Sequence, residues 1–176
     1  MITIAVDGPA ASGKGTLSRQ LAAHFGLHYL DTGSLYRAVG LKALNEGIDL
    51  AEEDTVARIA AELDDDILDD PRLREPGVGE AASKVAMLTG VRNALLNYQR
   101  EFAQRHPGAV LDGRDIATVV CPDADVKLFV TASVAERARR RHKELLQSDP
   151  LVKLEDIQAE IERRDARDRS RSAAPL

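Results

Sequence analysis

A glycine-rich stretch near the N-terminus has the residue types and spacing that bind the phosphates of a nucleotide. Its sequence is Gly8-Pro9-Ala10-Ala11-Ser12-Gly13-Lys14-Gly15-Thr16. Gly8 and Gly13 let the backbone turn tightly and bring its N–H groups towards phosphate oxygens. Lys14 adds a mobile positive charge for the terminal phosphates. The stretch therefore predicts that the chain binds a nucleoside triphosphate.

The position after Lys14 departs from the plain P-loop pattern. In that pattern the hydroxyl directly after the lysine holds Mg²⁺. Here Gly15 occupies the position and the hydroxyl of Thr16 comes one residue later. We expect Thr16 to contact phosphate or to reach Mg²⁺ through water. The expected cofactor is Mg²⁺ bound with the triphosphate, and no residue is assigned as a direct ligand of the metal.

Three further stretches combine arginine with carboxylates or hydroxyl groups. They are Asp31-Thr32-Gly33-Ser34-Leu35-Tyr36-Arg37, Asp112-Gly113-Arg114-Asp115 and the arginine-rich run over residues 163–171. In that last run Arg164, Asp168 and Arg171 share one face of a helix. A solvated, self-paired helix face would explain the run by itself. Together with the P-loop, the three stretches favour an arginine cage around phosphates.

The elements that must position these residues alternate along the chain. Short apolar runs predict strands over residues 2–6, 28–31, 109–111 and 126–130. Helical spacing predicts helices over residues 17–25, 34–45, 52–63, 80–88, 91–104, 133–146 and 153–169. This alternation predicts an α/β fold, with a P-loop NTPase-type parallel sheet of four strands and helices on both faces. Ligands bind at the carboxyl ends of such strands, where the stretches above lie. A glycine-rich turn that binds nothing is less favoured, because strand, loop and helix agree.

The composition limits the class of protein. The 176 residues suffice for one domain with a core. The net charge of −5 and the 3% of aromatic residues argue against nucleic acid and anionic membranes as partners. No apolar run approaches bilayer length, and the first residues lack the basic start and apolar core that are typical of a signal peptide. The lone cysteine, Cys121, excludes an intrachain disulfide. We therefore expect a cytoplasmic protein, and we expect it to be a monomer.

An acidic segment over residues 64–79 interrupts the helical patterns. It contains two prolines, two glycines and the aspartates Asp64, Asp65, Asp66, Asp69 and Asp70. This composition predicts a loop or small lobe with a solvated surface. A metal site is less favoured, because no histidine or cysteine lies nearby to complete one.

The combined motifs resemble those of bacterial cytidylate kinases, a family of P-loop kinases for nucleoside monophosphates. The P-loop alone is shared by many kinases, whereas Asp-Thr-Gly-x-x-Tyr-Arg together with Asp-Gly-Arg-Asp is specific. The resemblance extends over nearly the whole chain, through residues 8–16, 29–37, 81–83, 91–92, 112–120, 164–171 and 174–176. It implies transfer of the γ-phosphoryl group of ATP to CMP or dCMP, which gives ADP and CDP or dCDP.

The resemblance also implies roles for individual residues. Residues 8–16 would bind ATP, and catalysis would depend on Lys14, Arg114 and Arg171. The acceptor phosphate would be held by Arg37, Arg114 and Arg171, and the sugar by Arg164 and Asp168. Cytosine would be read by Thr32, Ser83, Arg92 and Asp115, with Tyr36 in the same site. A carboxylate such as Asp115 accepts from the amino group of cytosine and repels the carbonyl of uracil.

The same resemblance implies a division of the chain, residues 1–176, as one P-loop kinase domain. The monophosphate-binding region would span about residues 32–106, with a reduced insert at residues 64–79. A short lid would span about residues 136–156, where some of the basic residues would clamp ATP and the others would be solvated. The family usually continues past Ala174-Pro175-Leu176 with a strand and a helix, which are expected to be absent here.

The sequence leaves two other hypotheses about the function open. The first is another small P-loop kinase, with UMP, AMP or shikimate as the acceptor. The second is an ATP-binding module that C-terminal truncation has made inactive. A panel of acceptors with ATP and Mg²⁺ separates all of these readings.

Overall fold

The computed structural model describes residues 1–75, 77–147, 149–170 and 174–176. Arg171, one of the residues expected to act in catalysis, lies outside these ranges.

A four-stranded parallel sheet forms the centre of the molecule. Its strands are β1 (Ile2–Asp7), β2 (His28–Asp31), β3 (Gly108–Gly113) and β4 (Val126–Phe129), in the order β2-β3-β1-β4. In the register of the ladders Asp31 lies opposite Asp112, and Asp7 lies opposite both Gly113 and Phe129. The prediction of a parallel α/β sheet is confirmed. Its register brings three aspartates to the carboxyl edge of neighbouring strands.

Seven α-helices lie in the described part of the chain. They are α1 (Lys14–Phe25), α2 (Thr32–Asn45), α3 (Glu53–Ala61), α4 (Val78–Val85), α5 (Thr89–Ala103), α6 (Val134–Leu145) and α7 (Leu154–Ser170). All seven begin and end within three residues of the predicted positions. The hydroxyl of Ser133 accepts from the N–H of Glu136 at 3.2 Å, so the expected N-cap of α6 is confirmed.

Helices cover both faces of the sheet, as predicted. The larger core lies between the sheet and α2, α3 and α5, with Val39, Leu95 and Leu111 at its centre. On the opposite face Val6 and Val110 pack under Ala22 of α1. Burial of each such aliphatic side chain contributes about 2 kcal/mol relative to exposure. These contacts fix the strands and thereby the loops that follow them.

Helices α6 and α7 form a separate small apolar cluster. Ala138 of α6 packs against Ile157 and Ile161 of α7, and all three side chains are buried. The two helices therefore hold each other by apolar contacts. Their buried contacts with the P-loop and with Arg114 are hydrogen bonds and ion pairs instead.

The acidic segment forms two short 3₁₀ turns, Asp65–Asp69 and Pro71–Arg74, before α4 begins. Leu73 and Val78 are buried against Ala38 and Leu41 of α2, which anchors the segment. No strand occurs in its described part, residues 64–75 and 77–79. The observed structure agrees with the small lobe that its composition predicts.

A π-helical turn, Ile116–Val120, was not among the predicted elements. It follows directly after the Asp112–Asp115 stretch. The carboxylate of Asp7 accepts from the N–H groups of Ile116 and Ala117, both at 2.8 Å. The end of β1 therefore fixes the backbone that follows Arg114 and Asp115.

Candidate active site

The P-loop connects the end of β1 to the start of α1 in a conformation that requires glycine. A Cβ on Gly8 would lie 2.1 Å from the carbonyl oxygen of Val130, so no side chain fits there. Gly13 is the N-cap of α1 with φ of 94°, in the left-handed region. It offers no side-chain cap to the first turn of α1. The N–H groups of that turn are suited to an anion.

Lys14 lies at the start of α1 with its ammonium 3.5 Å from the carbonyl oxygen of Pro9. Burial and the nearby charge of Arg114 lower the pKa of Lys14 to about 7, against the opposing effects of Asp112 and Asp31. A phosphate oxyanion beside the ammonium would favour its charged form. The pKa of this lysine therefore makes its charge sensitive to whether an anion is bound.

Asp112 is the second-last residue of β3, beside Gly15 of the P-loop, and is buried. The hydroxyl of Tyr29 donates to its Oδ2 at 2.6 Å. Burial and the charge of Asp31 raise the pKa of Asp112. A Cβ on Gly15 would lie 3.4 Å from the same Oδ2, an ordinary van der Waals distance, so this carboxylate lies directly beside the position after Lys14.

Two arginines expected to hold the acceptor phosphate are each oriented by a carboxylate. Arg37 donates to Asp31 at 2.5 Å and to the hydroxyl of Ser34 at 2.8 Å. Arg114 donates through Nε to Asp168 at 2.8 Å. Burial tends to raise the pKa of Asp31, but the charge and hydrogen bond of Arg37 outweigh it and lower the pKa. The carboxylates fix where the two guanidinium groups point.

Arg164 of α7 lies close to this pair. Burial and the charge of Arg114, with a smaller effect of Arg37, lower the pKa of Arg164 to about 10. Its Nε is buried and has no hydrogen-bond partner among the described residues. Three guanidinium groups therefore concentrate positive charge where α7 meets the ends of the strands. An anion of two or more charges would relieve their mutual repulsion.

Arg92 contacts two of the residues expected in the base site, Asp115 and Tyr36. Its guanidinium forms a buried ion pair with Asp115 and lies 5.8 Å from the ring centroid of Tyr36. Tyr36 and Arg92 line a cleft of about 140 Å³. Ser83 on α4 is buried, and its hydroxyl has no hydrogen-bond partner among the described residues. Thr32 donates to the carbonyl oxygen of Asp112 at 2.8 Å, so that hydroxyl is already partly engaged.

The basic residues of α6 fall into two groups. Arg137 is buried and pairs with Asp165. Arg139, Arg140 and Arg141 are exposed and pair with glutamates of the same helix, Glu136 or Glu144. Of these, Arg140 reaches the P-loop, since its Nη1 lies 3.5 Å from where a Cβ on Gly13 would be.

The comparisons with known proteins identify the family of this chain. The family model described as cytidylate kinase matches residues 4–176. The chain belongs to the cytidylate kinase family. It is 59% identical to a cytidylate kinase of Methylobacterium sp. (strain 4-46) over 99% of this chain and 83% of the relative. It is 57% identical to that of Azorhizobium caulinodans over 98% of this chain and 84% of the relative. A similar relative from Rhodopseudomonas palustris (strain BisA53) is 56% identical over 98% and 82% of the two chains.

A solved structure from Thermus thermophilus aligns with 99% of this chain and 85% of its own. Its sequence identity is 21% and its TM-score is 0.45.

The structure shows contacts in this cytidylate kinase family site for residues to which the motifs assigned no role. They are the orienting carboxylates Asp7 and Asp31, the hydroxyl of Tyr29, and the buried pair of Arg137 and Asp165. The aspartates at the ends of β1 and β2 carried a signal, because each directly precedes a loop of the predicted site. Nothing in the sequence indicated that Arg137 and Asp165 would meet.

Proposed function

We propose that the chain is a nucleoside monophosphate kinase that transfers the γ-phosphoryl group of ATP to CMP or dCMP. Membership of the cytidylate kinase family carries this conclusion. It favours CMP or dCMP over UMP, AMP or shikimate as the acceptor, and an active kinase over an inactive module. The geometry agrees, because the P-loop and a cluster of three arginines lie at the same edge of the sheet.

Residues 8–16 would hold the phosphates of ATP. The N–H groups at the start of α1 and the ammonium of Lys14 would face the β- and γ-phosphates. An oxygen of the acceptor phosphate would attack the γ-phosphorus in line with the leaving oxygen. The new P–O bond forms as the bond to the β-phosphate breaks, and ADP leaves. Lys14, Arg114 and Arg171 would balance the charge of the transferring group.

The acceptor would lie against the arginines that the carboxylates orient. Arg37, Arg114 and Arg171 would hold its phosphate, and Arg164 with Asp168 would hold its sugar. This assignment is supported by the buried, unpartnered Nε of Arg164 and by the Arg114–Asp168 pair. Asp168 would then serve both a sugar hydroxyl and the orientation of Arg114.

Cytosine would be read by Thr32, Ser83, Arg92 and Asp115, in the site that Tyr36 also lines. The buried Arg92–Asp115 pair supports this assignment, because it presents a donor and an acceptor side by side. The buried hydroxyl of Ser83 provides a further polar group for the base. A site of buried polar groups rejects the wrong base strongly, since that base leaves them unpaired.

Mg²⁺ is the metal that we expect to accompany ATP. Among the described residues no group of three or more His, Cys, Asp and Glu side chains could hold a metal ion. The carboxylate of Asp112, which lies beside Gly15 of the P-loop, suits a hard cation that keeps several waters and binds phosphate oxygens. Asp112 and the hydroxyl of Thr16 would hold the ion through water. The ion would supply neutralisation of the phosphate charge.

The division into regions is part of the same proposal. About residues 32–106 would bind the monophosphate, and about residues 136–156 would form the lid. Arg140 is the lid arginine whose position beside Gly13 best supports contact with ATP. We expect the enzyme to work as a monomer on small-molecule substrates. No helix in the described ranges is long and apolar enough to cross a membrane.

A panel of acceptors tests the proposal. The purified protein is given ATP, Mg²⁺ and one of CMP, dCMP, UMP or AMP, and the production of ADP is measured. We expect a clear preference for CMP and dCMP. Equal activity with AMP would contradict the acceptor assignment, and nucleotide binding without CMP-dependent ADP production would indicate an inactive module. A Lys14→Met variant prepared in the same way controls for contaminating kinases.

A further inference from the structure

Helix α7 has polar links to both halves of the proposed two-nucleotide site. We propose that the buried Arg137–Asp165 pair is a positioning device that couples ATP binding at the P-loop to acceptor binding at α7. The inference rests on the proposed function for the placement of the two nucleotides. It assigns neither residue to the chemistry itself, since neither would touch the reacting atoms.

The guanidinium of Arg137 connects three segments of the chain. Its side chain is only 2% exposed. Nε donates to the carbonyl oxygen of Ala132 at 3.0 Å, in the connection between β4 and α6. Nη1 donates to the carbonyl oxygen of Ala10 in the P-loop and to Asp165 Oδ1, both at 3.0 Å. Nη2 donates to Asp165 Oδ2 at 2.5 Å. The planar fork of arginine fixes all of these partners relative to one another.

The contact with Ala10 falls at a strained point of the P-loop. The next residue, Ala11, has φ of 57°, in the left-handed region that is unfavourable for a residue with a side chain. A residue held in this conformation needs support from its surroundings. The hydrogen bond from Arg137 fixes the peptide that precedes Ala11. The pair therefore helps to set the direction of the N–H groups that would face the phosphates.

The other end of the link leads to the acceptor site. Asp165 lies within one turn of Asp168, which pairs with Arg114 at 2.8 Å. Arg167, in the same turn, pairs with Glu80 of α4 at 2.8 Å. A helix turn moves as a rigid unit, so a shift of Asp165 is a shift of Asp168. When ATP fixes the P-loop, Arg137 therefore fixes the α7 groups that would meet the acceptor.

Isothermal titration tests this coupling directly. The dissociation constant of CMP is measured alone and with a saturating non-hydrolysable ATP analogue and Mg²⁺, and the coupling factor is the ratio of the two. We expect a factor of about five or more for the unmodified protein, within the usual range of coupling between sites. In the double variant Arg137→Met with Asp165→Leu, we expect each nucleotide still to bind alone. Its coupling factor should fall to within about twofold of 1.

The double variant is chosen because apolar residues of similar volume commonly replace a buried ion pair without loss of folding. Should it fail to fold, Arg137→Lys decides, because lysine keeps the charge but cannot reproduce the bidentate pair with Asp165 together with the bonds to Ala10 and Ala132. The matched control is Glu80→Gln, which breaks an ion pair of α7 that does not reach the P-loop. We expect the control to keep the coupling factor of the unmodified protein.

Two results would overturn the inference. One is an unmodified protein that phosphorylates CMP but shows a coupling factor of 1. The other is a folded variant of the pair that keeps the full factor. A protein that neither binds nor phosphorylates CMP would instead contradict the proposed function. The two failures are therefore distinguishable in one set of measurements.

Discussion

The two halves of the proposed site are built in different ways. The donor half is a run of nine consecutive residues, fixed by a strand before it and a helix after it. The acceptor half is assembled from the ends of two strands, from α2, α4 and α5 of the monophosphate region, and from α7. It is held by ion pairs between distant segments, such as Arg92–Asp115 and Arg114–Asp168. A local motif thus fixes where ATP would bind, and long-range pairs fix what would accept its phosphate.

This difference has a functional consequence. A change in the donor half should affect the reaction with every acceptor equally, because all acceptors share the same ATP. A change in the acceptor half should alter the preference between acceptors. Variants of the two halves test this contrast between a loss of activity with every acceptor and a change of preference.

The largest effect is expected for Lys14→Met. Loss of a charge that faces the transferring phosphoryl group should lower kcat about 10³-fold, or about 4 kcal/mol of barrier. The fall should be the same for CMP and for the slower acceptor UMP, which steady-state kinetics with both acceptors would measure. Lys127→Met, an exposed lysine on the edge strand, is the control and should leave kcat unchanged. A larger loss with one acceptor than with the other would place Lys14 in acceptor recognition.

The next effect concerns stability at the same loop. Gly8→Ala should lower the free energy of unfolding by about 3 kcal/mol, because overpacking and backbone strain act together. The added Cβ would lie 2.1 Å from a backbone oxygen of residue 130. The matched control is Gly47→Ala, where φ is 68° but no atom lies within 4 Å of the new Cβ. The control should cost only about 1 kcal/mol of strain. Urea unfolding of both variants measures the loss of unfolding free energy in each. Equal losses would contradict the prediction, because they would show that the loop relaxes around the new Cβ at position 8.

The donor half was predictable from the sequence because its signals are local. Apolar periodicity predicted the strands and helices, and the nine loop residues predicted the turn between β1 and α1. The pairing of Asp31 with Arg37 is also local, six residues apart. By contrast, the Tyr29–Asp112 and Arg137–Asp165 contacts span 83 and 28 residues. Such contacts depend on the register of the strands and on the packing of α6 against α7. Neither can be predicted from the local pattern of a single sequence.

The π-helical turn after Arg114 also depends on a contact with a residue distant in the sequence. Its residues include Ile116, Val119 and Val120, whose branched side chains favour strands more than helices. The buried carboxylate of Asp7 overrides that preference by accepting from two successive N–H groups of the turn. The turn is therefore set by a residue more than 100 positions away in the sequence.

The acceptor half should respond selectively to Asp115→Asn. The amide keeps the shape of the carboxylate but loses its charge, so the discrimination of cytosine from uracil should fall about 10- to 100-fold. The affinity for ATP should stay within about twofold, because the P-loop is built separately. The ratio of kcat/KM for CMP to that for UMP measures the change. An unchanged ratio would remove Asp115 from base recognition. Asparagine is preferred to alanine, because truncation would leave the buried Arg92 without its partner.

The smallest effect is a pH dependence of ATP binding through Lys14. Its pKa is about 7 because of burial and the charge of Arg114. Bound phosphates would raise the pKa of Lys14. At a pH between the pKa of the free protein and that of the complex, ATP binding should therefore take up a proton. The affinity for ATP should therefore fall as the pH rises above 7, by about tenfold or less for each pH unit. Titration calorimetry at pH 8 in buffers of different ionisation enthalpy measures the proton uptake. Lys14→Arg, which stays charged at this pH, should abolish the uptake, and uptake that persists would assign the proton to another group.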